Sequence, residues 1–134
     1  MNPNLVPSIL LDFPHQRIRI NKRVIRSLEN PDYVRLLINP ESKTIGIESC
    51  DDKEPLRHRV PAHVKTTKKC FEICSLSFLE QLAKHTHWDT HHAYKVCASA
   101  QAGTQLLLFR FDDAFRSVAG YPVPVEAETS GDSQ

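Results

Sequence analysis

The stretch Arg17-Ile18-Arg19-Ile20-Asn21-Lys22-Arg23-Val24-Ile25-Arg26-Ser27-Leu28 decides the fold class. Its first four residues alternate basic and apolar. That period of two is the one that sets Ile18 and Ile20 on a core and Arg17 and Arg19 on the opposite face of a strand. At Asn21 the period changes. The asparagine side chain can accept a hydrogen bond from one of the backbone N–H groups a helix leaves unsatisfied at its start, and Val24, Ile25 and Leu28 then share one helical face. Asn30-Pro31-Asp32 stops that helix, because the residue before a proline is pushed out of the helical region and Asn and Asp favour turns. Residues 33–38 and 44–48 are rich in β-branched and aliphatic side chains, and Asn39-Pro40-Glu41-Ser42-Lys43 between them is turn chemistry. A β-α-β-β unit is expected over 17–49.

The same order recurs downstream. Residues 50–69 are polar, contain Pro55 and Pro61, and read as a connector with a short edge strand at 58–60. Phe71 and Ile73 alternate in a strand. Ser75 stands before Phe78, Leu79 and Leu82 as Asn21 stands before Val24, Ile25 and Leu28, and Ser77 with Glu80 offers a capping box two residues later. Residues 94–98 and 106–111 then suggest a second hairpin around Gly103, with Tyr94 matching Tyr33. The extra residues of this second unit, 70–111, fall on Lys84-His85-Thr86-His87-Trp88-Asp89-Thr90-His91-His92, which reads as a loop or an added helical turn. The expectation is an α+β protein of two β-α-β-β units forming one pseudo-symmetric domain over 1–125, mostly antiparallel sheet with two short helices. A disordered acidic tail is expected over 126–134.

At 134 residues the chain is long enough to build one core without disulfides. No apolar run approaches the roughly 20 residues of a membrane helix. Pro3 and Pro7 interrupt the apolar N-terminus and no basic residue precedes it, so it does not read as a secretory signal. A cytoplasmic, reducing setting is expected, with Cys50, Cys70, Cys74 and Cys97 as thiols. The net charge is +1, but the tail holds Glu126, Glu128 and Asp132 without a cation, which leaves the body at +4. Two runs concentrate the positive charge. Residues 17–26 carry five basic residues and no acid, and residues 57–69 carry Arg57, Arg59, Lys65, Lys68 and Lys69 and no acid.

The stretch 17–28, with the hairpin residues 33–38 and 44–47, resembles the AbrB-like transition-state regulators. That resemblance implies two β-α-β-β units interlocked as a swapped-hairpin barrel, with Arg17, Arg19, Lys22, Arg23 and Arg26 facing DNA. The family usually has proline where this chain has Asn21, and glycine where it has Glu29-Asn30. Independently of any family, clustered Lys and Arg neutralise phosphates and release counterions. The same alternation of arginine and isoleucine also describes an edge strand defended by charge against pairing.

His85, His87 and His91, with His92 and Asp89, have ligand types suited to a divalent ion, and His87 and His91 would share a face if the segment were helical. No Cys-x-x-Cys accompanies them. Cys74 or Cys97 beside a histidine would be the ingredients of a thiol enzyme, yet the chain has no Gly-x-Ser-x-Gly elbow, no phosphate-cradling glycine loop and no His-Glu-x-x-His helix. Asp112-Asp113 reads as a cap or turn. The first expectation is therefore a non-enzymatic DNA-binding regulator without a cofactor. The alternatives are a protein-interaction or structural module, homo-oligomeric if residues 5–13 form an exposed or swapped apolar strand, and a metal-binding or thiol enzyme.

Overall fold

A computed structural model describes residues 6–66, 71–118 and 121–124. Within them two antiparallel sheets and a few short helices enclose one cluster of buried side chains. The chain opens with β1 (Ser8–Asp12) and β2 (Arg17–Ile20), passes through α1 (Lys22–Ser27), and forms β3 (Tyr33–Asn39) and β4 (Thr44–Cys50). The connector contributes β5 (His58–Arg59) and α2 (Ala62–Thr66), and β6 (Phe71–Ile73) leads into α3 (Leu76–Thr86). Strands β7 (Ala93–Cys97), β8 (Ala100–Ala102) and β9 (Leu106–Arg110) follow, then a 3-10 turn at Phe111–Asp113, β10 (Ala114–Val118) and β11 (Tyr121–Pro124). The six-stranded sheet runs β11-β10-β7-β1-β2-β6, and the five-stranded sheet runs β5-β3-β4-β9-β8.

The strand, helix, strand, strand order expected over 17–49 is present as β2, α1, β3 and β4. Asn21 is extended, and its side-chain oxygen accepts the Arg23 backbone N–H at 2.7 Å, which starts α1. The helix ends before the proline. Glu29 and Asn30 both take positive φ, 60° and 51°, and their N–H groups reach back to the Arg26 and Ile25 carbonyls at 3.0 and 2.9 Å. Glutamate thus occupies a left-handed position that glycine fills at least cost. α3 begins at Leu76, so Ser77 lies inside its first turn and the Ser77–Glu80 capping box is not used; Ser75 sits at the cap without a side-chain bond. The helix runs on to Thr86, so the inserted segment begins as an added helical turn and continues as loop.

Three expectations are corrected. Residues 94–98 and 106–111 do not form a hairpin: β7 pairs with β1 and β10 in one sheet, while β9 pairs with β4 and β8 in the other. The apolar N-terminus is no exposed or swapped segment over Ser8–Asp12, because β1 lies inside the six-stranded sheet with Leu11 fully buried. Residue 17–20 is not an edge strand either, since β6 covers its free side through Ile18↔Ile73, Arg19↔Glu72 and Ile20↔Phe71. The short edge strand within 58–60 and the turn at Asp112-Asp113 are present. The acidic tail 126–134 lies outside the described residues.

Ile9 and Leu11 of β1, Ile18 and Ile20 of β2, Val24 and Ile25 of α1, Ile45 and Ile47 of β4, Leu79 and Leu82 of α3 and Phe109 of β9 all join the buried cluster. Fully burying one such side chain is worth about 1.5–3 kcal/mol. Leu11→Ala is therefore expected to lose about 2–5 kcal/mol in urea unfolding, the range for emptying a packed leucine site; a loss near that of a surface substitution would show that β1 is not packed. Glu29→Gly is expected to raise stability by about 0.5–1 kcal/mol by relieving the left-handed backbone, and a lowered urea midpoint would contradict that conformation.

Candidate nucleic-acid interface

β2 fixes where its arginines point. Ile18 and Ile20 face the core, so Arg17 and Arg19 project from the outer face of the six-stranded sheet. There they meet carboxylates. Arg17 stands opposite Asp12, and its Nε donates to Asp12 Oδ2 at 3.0 Å, while its guanidinium lies 3.6 Å from Glu72 Oε1. Arg19 Nε lies 3.2 Å from the same Glu72 oxygen, within ion-pair distance but out of line for a hydrogen bond. Two of the five cations are thus offset by two carboxylates.

Asp12 is the anchor of this arrangement. Its carboxylate is nearly buried and also meets His15 Nδ1 at 2.9 Å. Burial pushes the carboxyl pKa up, but hydrogen bonds from His15 and Arg17 outweigh it and hold the group below the ordinary aspartate value.

The helix cations are placed differently. Val24 and Ile25 are buried, Arg23 is half-buried and Arg26 is exposed. Among the described residues neither the Arg23 nor the Arg26 side chain has a carboxylate partner. Arg26 sits in the last turn, where a cation complements the helix dipole. α2 packs against α1, with Val60 and Val64 buried in the same cluster as Val24 and Ile25. The helical part of the second acid-free run thus lies against the helix of the first. Lys65 lies on α2, and Lys68 and Lys69 follow outside the described residues. Sequence periodicity missed this convergence, because a five-residue helix is too short to show a pattern; the absence of acid in both runs was its visible sign.

The histidine segment forms no comparable site. α3 ends at Thr86, and His87 caps it with φ of 60°, so His87 and His91 share no helical face. Asp89 instead organises its own loop, accepting the His91 backbone N–H at 2.9 Å and meeting His91 Nδ1 at 2.8 Å. Those two bonds hold the Asp89 carboxyl below its ordinary pKa. Among the described residues no group of three His, Cys, Asp or Glu is placed to hold a metal ion. The loop's structural anchor is Trp88, stacked on buried Tyr94 at 4.6 Å, with the Tyr94 hydroxyl donating to the Asp89 carbonyl at 2.9 Å. Of the thiols, Cys74 is exposed and Cys97 half-buried, while burial, with Glu54 nearby, pushes the Cys50 thiol up. Among the described residues no helix is long and apolar enough to cross a membrane.

No protein-family model matches the chain, and no curated protein and no solved structure is similar enough to count as a match.

The Asp12 interactions carry a pH signature. A carboxyl whose folded pKa is depressed adds stability that is fully present above its unfolded value and is lost as pH falls through the folded value. The urea midpoint is expected to fall below about pH 4, and Asp12→Asn to lower stability by about 1–2 kcal/mol at neutral pH while removing part of that acid dependence. An unchanged acid limb in Asp12→Asn would contradict the assignment.

Proposed function

We propose that this chain is a small non-enzymatic DNA-binding protein, of the transcription-regulator kind, that grips the phosphate backbone through the α1–α2 face. One observation carries the reading: α2, from the second basic and acid-free run, packs against α1 of the first. Phosphate binding needs little more than such a face, because affinity comes from counterion release. Arg23 and Arg26 are the principal contacts, with Lys22 beside them. Arg17 and Arg19 serve chiefly to hold β1, β2 and β6 together, since their charge is largely spent on Asp12 and Glu72.

The pairing of β2 with β6 and of β4 with β9, both antiparallel, joins corresponding strands of the two β-α-β-β units. It supports a pseudo-twofold relation between them and the resemblance to AbrB-like regulators. The placement of β7 beside β1 departs from that symmetry.

Fluorescence anisotropy with a labelled DNA duplex across a salt series tests the proposal. Each phosphate contact contributes about 0.9 to the slope of log affinity against log salt, so the Arg23→Gln, Arg26→Gln double variant is expected to lower the slope by about 2. Arg17→Gln is expected to cost stability and to leave the slope nearly unchanged. Absence of binding at low salt, or an unaltered slope in the double variant, would sink it.

A further inference from the structure

A groove of about 410 Å³ opens between β3, the loop before β5 and the first turns of α3. Leu36, Ile38 and Phe78 form its apolar wall, and Leu56, 66% exposed, stands at its mouth. Among the described residues no carboxylate lines it, whereas Arg57 does. The Arg57 guanidinium donates to the Glu54 backbone carbonyl at 3.0 Å and lies 5.8 Å from the centre of the Tyr33 ring. It is held in place by a neutral acceptor and an aromatic face, and among the described residues it has no acidic partner. His58, also on the wall, is half-buried without a counter-charge, and burial holds its pKa down.

From this combination we infer that the groove is a binding site for a small amphipathic carboxylate, its hydrocarbon body on Leu36, Ile38, Phe78 and Leu56 and its carboxylate on Arg57. The size falls within the range of small-molecule sites, and Ser75, Ser77 and Gln81 add neutral polar groups beside the apolar wall. A planar guanidinium offers two parallel N–H donors to a carboxylate, and an oriented arginine loses less freedom in making them than a loose one. An exposed leucine beside an arginine with no acidic partner among the described residues is poorly used in the free protein. Covering both with one ligand removes apolar surface from water and satisfies the cation together. The site is separate from the DNA-facing surface, and neither Arg23 nor Arg26 lines it.

Sodium octanoate is the probe, titrated into the full chain and followed by amide and methyl NMR. Saturable shifts are expected at Leu36, Ile38, Leu56 and Phe78, with octan-1-ol and acetate each binding at least about tenfold more weakly, since each supplies half of the recognition. Arg57→Gln and Leu56→Gln change exposed side chains, so both variants are expected to fold as the parent does and to lose about tenfold in octanoate affinity. No saturable octanoate shifts, shifts away from the groove, octanol binding as strongly as octanoate, or an Arg57→Gln affinity equal to the parent's would each overturn the assignment. DNA affinity measured on the same two variants separates this site from the α1–α2 face: a loss of octanoate binding with DNA binding intact is the expected result.

Discussion

Strand β1 is hydrogen-bonded along both edges, to β2 of the first half of the chain and to β7 of the second, and the remaining architecture depends on that double pairing. Its register sets Ile9 opposite Ile20 and Val96, and Leu11 opposite Ile18 and Tyr94, so one row of apolar side chains crosses three strands. Sequentially distant segments gain their contact only when this strand is in place. Because β7 is taken by β1, it is unavailable to β9, and β9 joins β4 in the other sheet. The two layers then enclose a common core between them.

The charges on β2 show why a basic run in sequence is not a basic patch in space. Side chains directly opposite one another on antiparallel strands interact, and unlike charges there are favourable by a few tenths to one kcal/mol, roughly. Asp12 and Glu72 occupy those opposing positions beside Arg17 and Arg19, drawing two cations into the sheet's own stability. Helix α1 lies against β1 and α2, and among the described residues its Arg23 and Arg26 side chains meet no carboxylate. Arg23 and Arg26 keep their field, and α2, which carries Lys65, packs beside α1. Ionic strength screens exposed charges over roughly 8–10 Å, so the adjacency of the helices matters more than the net charge of the chain.

Much of this was legible where local pattern and tertiary demand agree. Arg17–Leu28 could be read residue by residue because alternation, a capping asparagine and a three-residue apolar face each point to the same local structure. The Asn39–Lys43 turn joined two strands with no competitor nearby. β7 and β9 failed as a hairpin because alternation says that a segment is a strand and which face is buried, but not which neighbour it takes. β1 was misjudged for a related reason: Pro7 and a run of aliphatic residues suit an exposed segment as well as a central strand, and only Tyr94 and Val96, more than eighty residues away, choose between them. The groove was invisible to any local pattern, since Leu36, Arg57 and Phe78 come from three separate elements.

The central claim is that β1 is the strand on which both halves of the molecule close. Native-state amide hydrogen exchange measures this directly. The Ile9, Leu10 and Leu11 amides are predicted to exchange as slowly as the slowest amides of β2 and β7, opening only with global unfolding. Rapid exchange across β1 while β2 and β7 stay protected would contradict the account.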